Sequence, residues 1–186
     1  MIPYTLDTRA DTGVSNTTLG LWLFLASEVM LFGALFSAYA LLRVSAVSWP
    51  SGRETLSVVL GTVNTGVMMA ATFAAWRART LAPHAARRAL LVTTFLGAVF
   101  VVNKIVEYRS ELSGGAGPSV NTFLATYFTL TGFHAMHVIG GIIANAWAMA
   151  GRAGEAMMSN RIRLLSLYWA FVDVVWLVIF VMVYLT

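Results

Sequence analysis

The sequence predicts an all-α, polytopic membrane protein with five transmembrane helices, N-terminus inside and C-terminus outside. Three observations predict it. First, 59% of the 186 residues are hydrophobic and only 11% are charged, where an ordinary soluble domain carries about 25% charged residues. Second, the apolar residues gather into five long segments. Third, Lys and Arg are spread unevenly over the connections between those segments. The mean hydropathy is +0.77, and a water-soluble fold of this size has no core large enough to hide so much apolar surface. A soluble globular enzyme, a disordered tail and a nucleic-acid-binding domain are thereby excluded. The isoelectric point near 9.9 rests on only 12 Lys and Arg, which membrane proteins place in loops to set topology.

Each element follows from length and punctuation. A spanning helix needs roughly 20 mostly apolar residues. Segments of that kind run from about 19–42, 55–76, 89–108, 121–150 and 164–185. Together they make one transmembrane domain over 19–186, preceded by a tail over 1–18 expected in the cytoplasm. That tail is polar and mixed in charge, without the basic start and apolar stretch of a cleavable signal peptide. Asn16, Thr17 and Thr18 offer side chains that can cap the first helix. Ser48-Trp49-Pro50-Ser51-Gly52 breaks the first pair, Pro83 falls in the second loop, and Ser113 to Ser119 reads as a glycine-rich turn. Gly151 to Ile162 closes the fourth helix, which is long enough to tilt or protrude.

Orientation comes from the basic residues. Arg9, Arg77, Arg79, Arg87, Arg88, Arg152, Arg161 and Arg163 fall on one side, and Arg43, Arg53 and Arg109 on the other. The richer side is expected to be cytoplasmic.

Ionisable residues inside a span are costly and informative. Glu28 has nothing basic within a helical turn, so it is read either as a proton-relay or ligand-binding acid, or as a neutral acid hydrogen-bonded to another helix. Lys104 and Glu107 are three residues apart and can meet on one helix face, as a self-satisfied ion pair. His134 and His137 also share a face. No Cys is present, and the third His, His84, lies in a loop, so interhelical hydrogen bonding is preferred to a metal or haem site. Asp173 shares a face with Trp169 and Trp176 and is expected to pair with a His or Lys of another helix, or with a partner subunit. Gly33, Gly61, Gly66, Gly132, Gly140 and Gly141 offer close helix approach. No phosphate loop, nucleotide glycine fingerprint, HExxH or nucleophile elbow occurs. No catalytic, metal or cofactor-binding residue is assigned.

Five stretches carry a resemblance. They are Leu19 to Phe32 with Ser27-Glu28-Val29-Met30, Val63-Asn64-Thr65, Gly97 to Tyr108, Thr129 to Gly141, and Tyr168 to Trp176. In this order the chain resembles subunit III of cytochrome c oxidase, and so of the haem–copper oxidases, in its short five-helix bacterial form. The resemblance implies a subunit without a redox centre, in a complex that reduces oxygen and pumps protons in aerobic respiration. Haem and copper then belong to partner subunits. Subunit I is the direct partner, with subunit II in the same complex, and structural phospholipids are held in a cleft. The resemblance places the chain in the bacterial cytoplasmic membrane. It implies that Glu28 is the carboxyl tied to lipid and proton supply, and that Asn64, Lys104, Glu107, His134, His137 and Asp173 form interhelical polar contacts. Ala170 stands where the family usually has His, and Lys104 has no counterpart in its pattern. An accessory subunit of a nitric oxide reductase is the alternative, and an independent proton or ion carrier a third reading. Cytochrome c and quinol stand equally as electron donor.

Overall fold

The computed structural model describes residue 8 and residues 13–150 and 154–186. Arg9, Gly151, Arg152 and most of the N-terminal tail lie outside the described residues. The chain folds into helices α1 (Asn16–Ser45), α2 (Gly52–Thr55), α3 (Val58–Arg77), α4 (Pro83–Ser113), α5 (Thr122–Ala150) and α6 (Glu155–Ile179). A short 3₁₀ turn (Ala78–Thr80) extends α3, and a π-helical turn (Phe180–Tyr184) extends α6. Among the described residues no strand forms; Thr8 and Ser15 make an isolated bridge. Five helices are long and apolar enough to cross a membrane, and α2 is a single turn in the first connection.

The helix ends differ from the sequence expectation in an instructive way. The sixth helix begins nine residues earlier than its apolar segment, and α4 runs six residues before and five beyond the third segment. Those extra turns are rich in Arg, Ser and Glu. They suit the headgroup region, where helix continues although hydropathy has ended. Pro83 does not break the chain there but starts α4, where its missing N–H costs nothing and its fixed φ is already helical. The α1 cap is Ser15, whose Oγ accepts from the Thr18 N–H, in place of Asn16, Thr17 or Thr18. The glycine-rich turn holds, with Gly115 at φ +81°.

α3, α4, α5 and α6 close into a ring, each packed on the next and α6 back on α3. α1 lies outside this ring, against α5 and α6. Only 11% of its most apolar stretch is buried, against 44% for α6 with its π-turn. The core is aromatic. Trp169 and Trp176 are wholly buried, with Phe100 edge-on to Trp176 at 4.8 Å between ring centroids. Small residues make room for it. A Cβ on Gly97 would come 2.8 Å from the Trp169 ring, and one on Gly141 3.0 Å from the same ring. Gly61 approaches Tyr184 as closely, whereas Gly33 and Gly66 face open space and carry no close approach.

The C-terminus is tied back to the first connection. The Gly52 N–H donates to the Thr186 carbonyl at 2.9 Å, and Arg53 Nε donates to the Leu185 carbonyl at 2.9 Å. A Cβ on Gly52 would overlap the Val183 carbonyl oxygen. Backbone on both sides leaves no flexible group to yield. Gly52→Ala is therefore expected to lose the Gly52–Thr186 bond and cost about 1–3 kcal/mol through overpacking. Thermal unfolding in one detergent, wild type beside variant, checks it; an unchanged midpoint would show that the clamp is dispensable.

Candidate functional site: two polar clusters between the helices

The first cluster is built on the C-terminal half of α4. Lys104 Nζ donates to Glu107 Oε2 at 3.0 Å, to Tyr184 Oη at 2.8 Å and to Tyr127 Oη at 3.1 Å. The two phenols in turn donate to Glu107 Oε1, Tyr184 at 2.6 Å and Tyr127 at 3.0 Å. All three ammonium hydrogens thus have acceptors, and both carboxylate oxygens have donors. Lys104 and Glu107 are 2% and 1% exposed, so this closed pairing is what makes the charges tolerable. The ammonium also lies 4.8 Å from the Tyr127 ring centroid and 4.9 Å from that of Tyr108, which adds cation–π attraction. Tyr108 bonds the Thr131 hydroxyl beside it. The i,i+3 spacing predicts the ion pair; Tyr127 and Tyr184 carry no such signal. Tyr184 is the last residue of the π-turn that extends α6.

The second cluster joins α1 to α5. His137 Nε2 lies 2.8 Å from Glu28 Oε2, and His137 Nδ1 lies 2.7 Å from the Phe133 carbonyl oxygen. Tyr168 of α6 donates to the His137 carbonyl oxygen at 2.7 Å. Glu28 therefore has a partner, contrary to the absence of one within its own helix turn, because the partner comes from 109 residues away. Its side chain is 15% exposed, and its neighbours on α1 line apolar grooves. One groove of about 570 Å³ runs between α1 and α6 past Trp22, Met30 and Phe171. On the other side Leu21, Phe24, Gly140 and Tyr168 line a second, of about 320 Å³. That one continues toward Arg161, whose guanidinium lies 4.4 Å from the Trp147 ring centroid.

The remaining expected polar residues are placed separately. Asn64 Oδ1 accepts from Asn103 Nδ2 at 2.9 Å across α3 and α4. His134 is fully buried, but neither ring nitrogen has a hydrogen-bond partner among the described residues. The expected interhelical bond is replaced by ring packing: the imidazole sits 5.3 Å from the Phe100 centroid and 5.2 Å from that of Trp176. Asp173 meets neither a His nor a Lys. Its Oδ1 is buried without a hydrogen-bond partner among the described residues, and the Thr72 hydroxyl of α3 donates to the Trp169 carbonyl oxygen at 3.2 Å. The indoles flanking Asp173 bond elsewhere, Trp169 to Asn145 at 3.3 Å and Trp176 to Thr65 at 3.0 Å. Among the described residues, no three His, Asp or Glu side chains converge as a metal-holding group.

The chain is similar in sequence to known proteins. The profile of the family described as "Cytochrome c oxidase subunit III" matches residues 7–186. The cytochrome bo(3) ubiquinol oxidase subunit 3 of Pseudomonas aeruginosa is 33% identical, over 96% of this chain and 88% of that protein. The cytochrome c oxidase subunit 3 of Thermostichus vulcanus is 31% identical, over 90% and 86%. A heme-copper oxidase subunit I+III of Aeropyrum pernix is 30% identical over 89% of this chain, which spans 22% of that longer protein. With a family match over residues 7–186 and five helices apolar enough to cross a membrane among the described residues, this chain belongs to the cytochrome c oxidase subunit III family.

Proposed function

We propose that this chain is the non-catalytic third subunit of a respiratory haem–copper terminal oxidase, and that it stabilises the haem-bearing subunit I in a bacterial cytoplasmic membrane. The observation that carries this reading is the family match over residues 7–186. Direct contact with subunit I is supported by a relative whose name joins subunits I and III in one chain. Subunit II shares the complex. The nitric oxide reductase alternative has no comparable support, since the relatives above are named as oxidases. The N-inside orientation rests on the Arg bias of the connections.

Phospholipid is the expected occupant of the grooves beside α1. Their walls are aliphatic and aromatic, and Arg161 stands at the end of one of them. That combination suits an acyl chain with an anionic headgroup. Glu28 bonds His137 of α5, and its α1 neighbours Phe24 and Val29 line the two grooves, which supports a part in lipid binding and proton supply. Asn64, Lys104, Glu107, His134, His137 and Asp173 serve packing between helices. Purified alone in mild detergent, the chain is expected to be colourless, without a Soret band. Stoichiometric haem on the isolated chain would overturn the reading.

A further inference from the structure

The contact between Glu28 and His137 fixes its own proton count. The Phe133 carbonyl oxygen can only accept, so His137 Nδ1, 2.7 Å away, carries a hydrogen. Nε2 and Glu28 Oε2 are 2.8 Å apart. Two lone pairs do not hold that distance, so a hydrogen stands between them as well. It belongs either to a carboxylic acid facing a neutral imidazole or to an imidazolium facing a carboxylate, because a second proton on the carboxyl would leave the imidazolium charge without its counter-charge. Both arrangements hold the same number of protons. From this geometry we propose that His137 is a positioning residue whose tautomer is set by Phe133, and that it shares a single proton with Glu28 which tethers the middle of α1 to the bundle.

The surroundings support a tether. α1 is the least buried of the spanning helices. At its inner end Asn160 Nδ2 donates to Thr17 at 3.1 Å, and Arg163 bonds Thr18. At its outer end the Tyr39 hydroxyl donates to the Met182 carbonyl at 2.6 Å. Between them lie the two apolar grooves, with Glu28–His137 bridging the helices at mid-span. The titratable neighbours are Tyr168 on α6, already bonded to the His137 carbonyl, and His134 one turn earlier on α5. Phe32 closes the site edge-on to the His137 ring at 5.1 Å. Loss of the shared proton would leave two acceptors face to face, and the middle of α1 would then be held by packing alone.

The consequence for turnover rests on the proposed role of Glu28 in the oxidase; the proton count does not, and is read on the chain by itself. The full chain in lipid nanodiscs, labelled with ¹⁵N-histidine and ¹³C-glutamate, is examined by solid-state NMR at neutral pH. Comparison with His137→Gln identifies the His137 signals, and comparison with Glu28→Gln the Glu28 carboxyl. The expected result is a protonated Nδ1 together with one shared proton. A bare Nδ1 would overturn the proposal. So would a carboxylate beside neutral imidazole, or a carboxylic acid beside imidazolium. The tether is read separately. The chain has no Cys, so Cys placed at the exposed Leu23 and Ile143 takes spin labels at those sites only. Glu28→Gln, whose amide can donate to Nε2, is expected to keep the wild-type label distance, and Glu28→Leu to lengthen and broaden it. A wild-type distance in Glu28→Leu would sink the tether. If Glu28→Leu does not fold, the NMR proton count on wild type still decides. A confirmed proton count with unaltered oxidase behaviour in Glu28 variants would count against the role in proton supply alone.

Discussion

Glu107→Ala is expected to destabilise the chain by about 3–5 kcal/mol, because it strands the Lys104 ammonium in the core. Lys104 is 2% exposed and its three donors all end inside the cluster. Without the carboxylate, only the two phenol oxygens remain, and neither carries charge. Lys104→Met is expected to be damaging for the mirror reason, somewhat less so, since Tyr127 and Tyr184 still donate to Glu107. The double variant Lys104→Met with Glu107→Leu is expected to recover most of the loss. Exchanging a buried ion pair for apolar side chains of similar size removes both desolvation costs together. Strong non-additivity is therefore the signature, as for any two residues in one network. Unfolding midpoints of the three variants in one detergent measure it. A double variant as unstable as the sum of the singles would show that the pair is not a closed unit.

Glu28→Ala is expected to leave assembly of the oxidase largely intact but shorten its working life several-fold, or slow proton uptake. The side chain is partly exposed, and its loss opens only a contact between α1 and α5. The ring of α3 to α6 and the Lys104 cluster are untouched, which is why assembly should survive. The effect on turnover follows from α1, which lines both grooves, losing its mid-span contact. Oxygen consumption followed to inactivation, with the proton-pumping ratio measured on the same vesicles, checks it. Wild-type lifetime and wild-type ratio together would remove Glu28 from the account.

These two sites also mark how far the sequence could be read. The five spans were legible because a bilayer imposes a length and a hydropathy that no loop of this chain imitates. Their ends were not, because hydropathy stops where lipid tails stop while the backbone still profits from helix, as in the early start of α6 at Glu155. The Lys104–Glu107 pair was legible because i,i+3 geometry is local. The two tyrosines that complete it come from α5 and from a π-turn, and no periodicity of 3.6 announces a π-turn. Glu28 read as lacking a basic partner on its own helix, with a bond to another helix left open, since sequence shows only the partners one turn away, and His137 is brought to it by the packing of α1 on α5. His134 read as a hydrogen-bonding residue because of its type. The fold gives it aromatic faces instead, which a pattern of polar residues cannot foretell.

The respiratory role assigned above depends on this chain being one subunit of a haem–copper oxidase. The direct test is to draw the chain from its native membrane in mild detergent, record the optical spectrum and identify what accompanies it by mass spectrometry. The expected result is co-purification with a large subunit carrying haem and copper, in fixed proportion. Recovery of the chain alone and colourless would contradict the account, and a partner with haem b and non-haem iron would move the chain to a nitric oxide reductase.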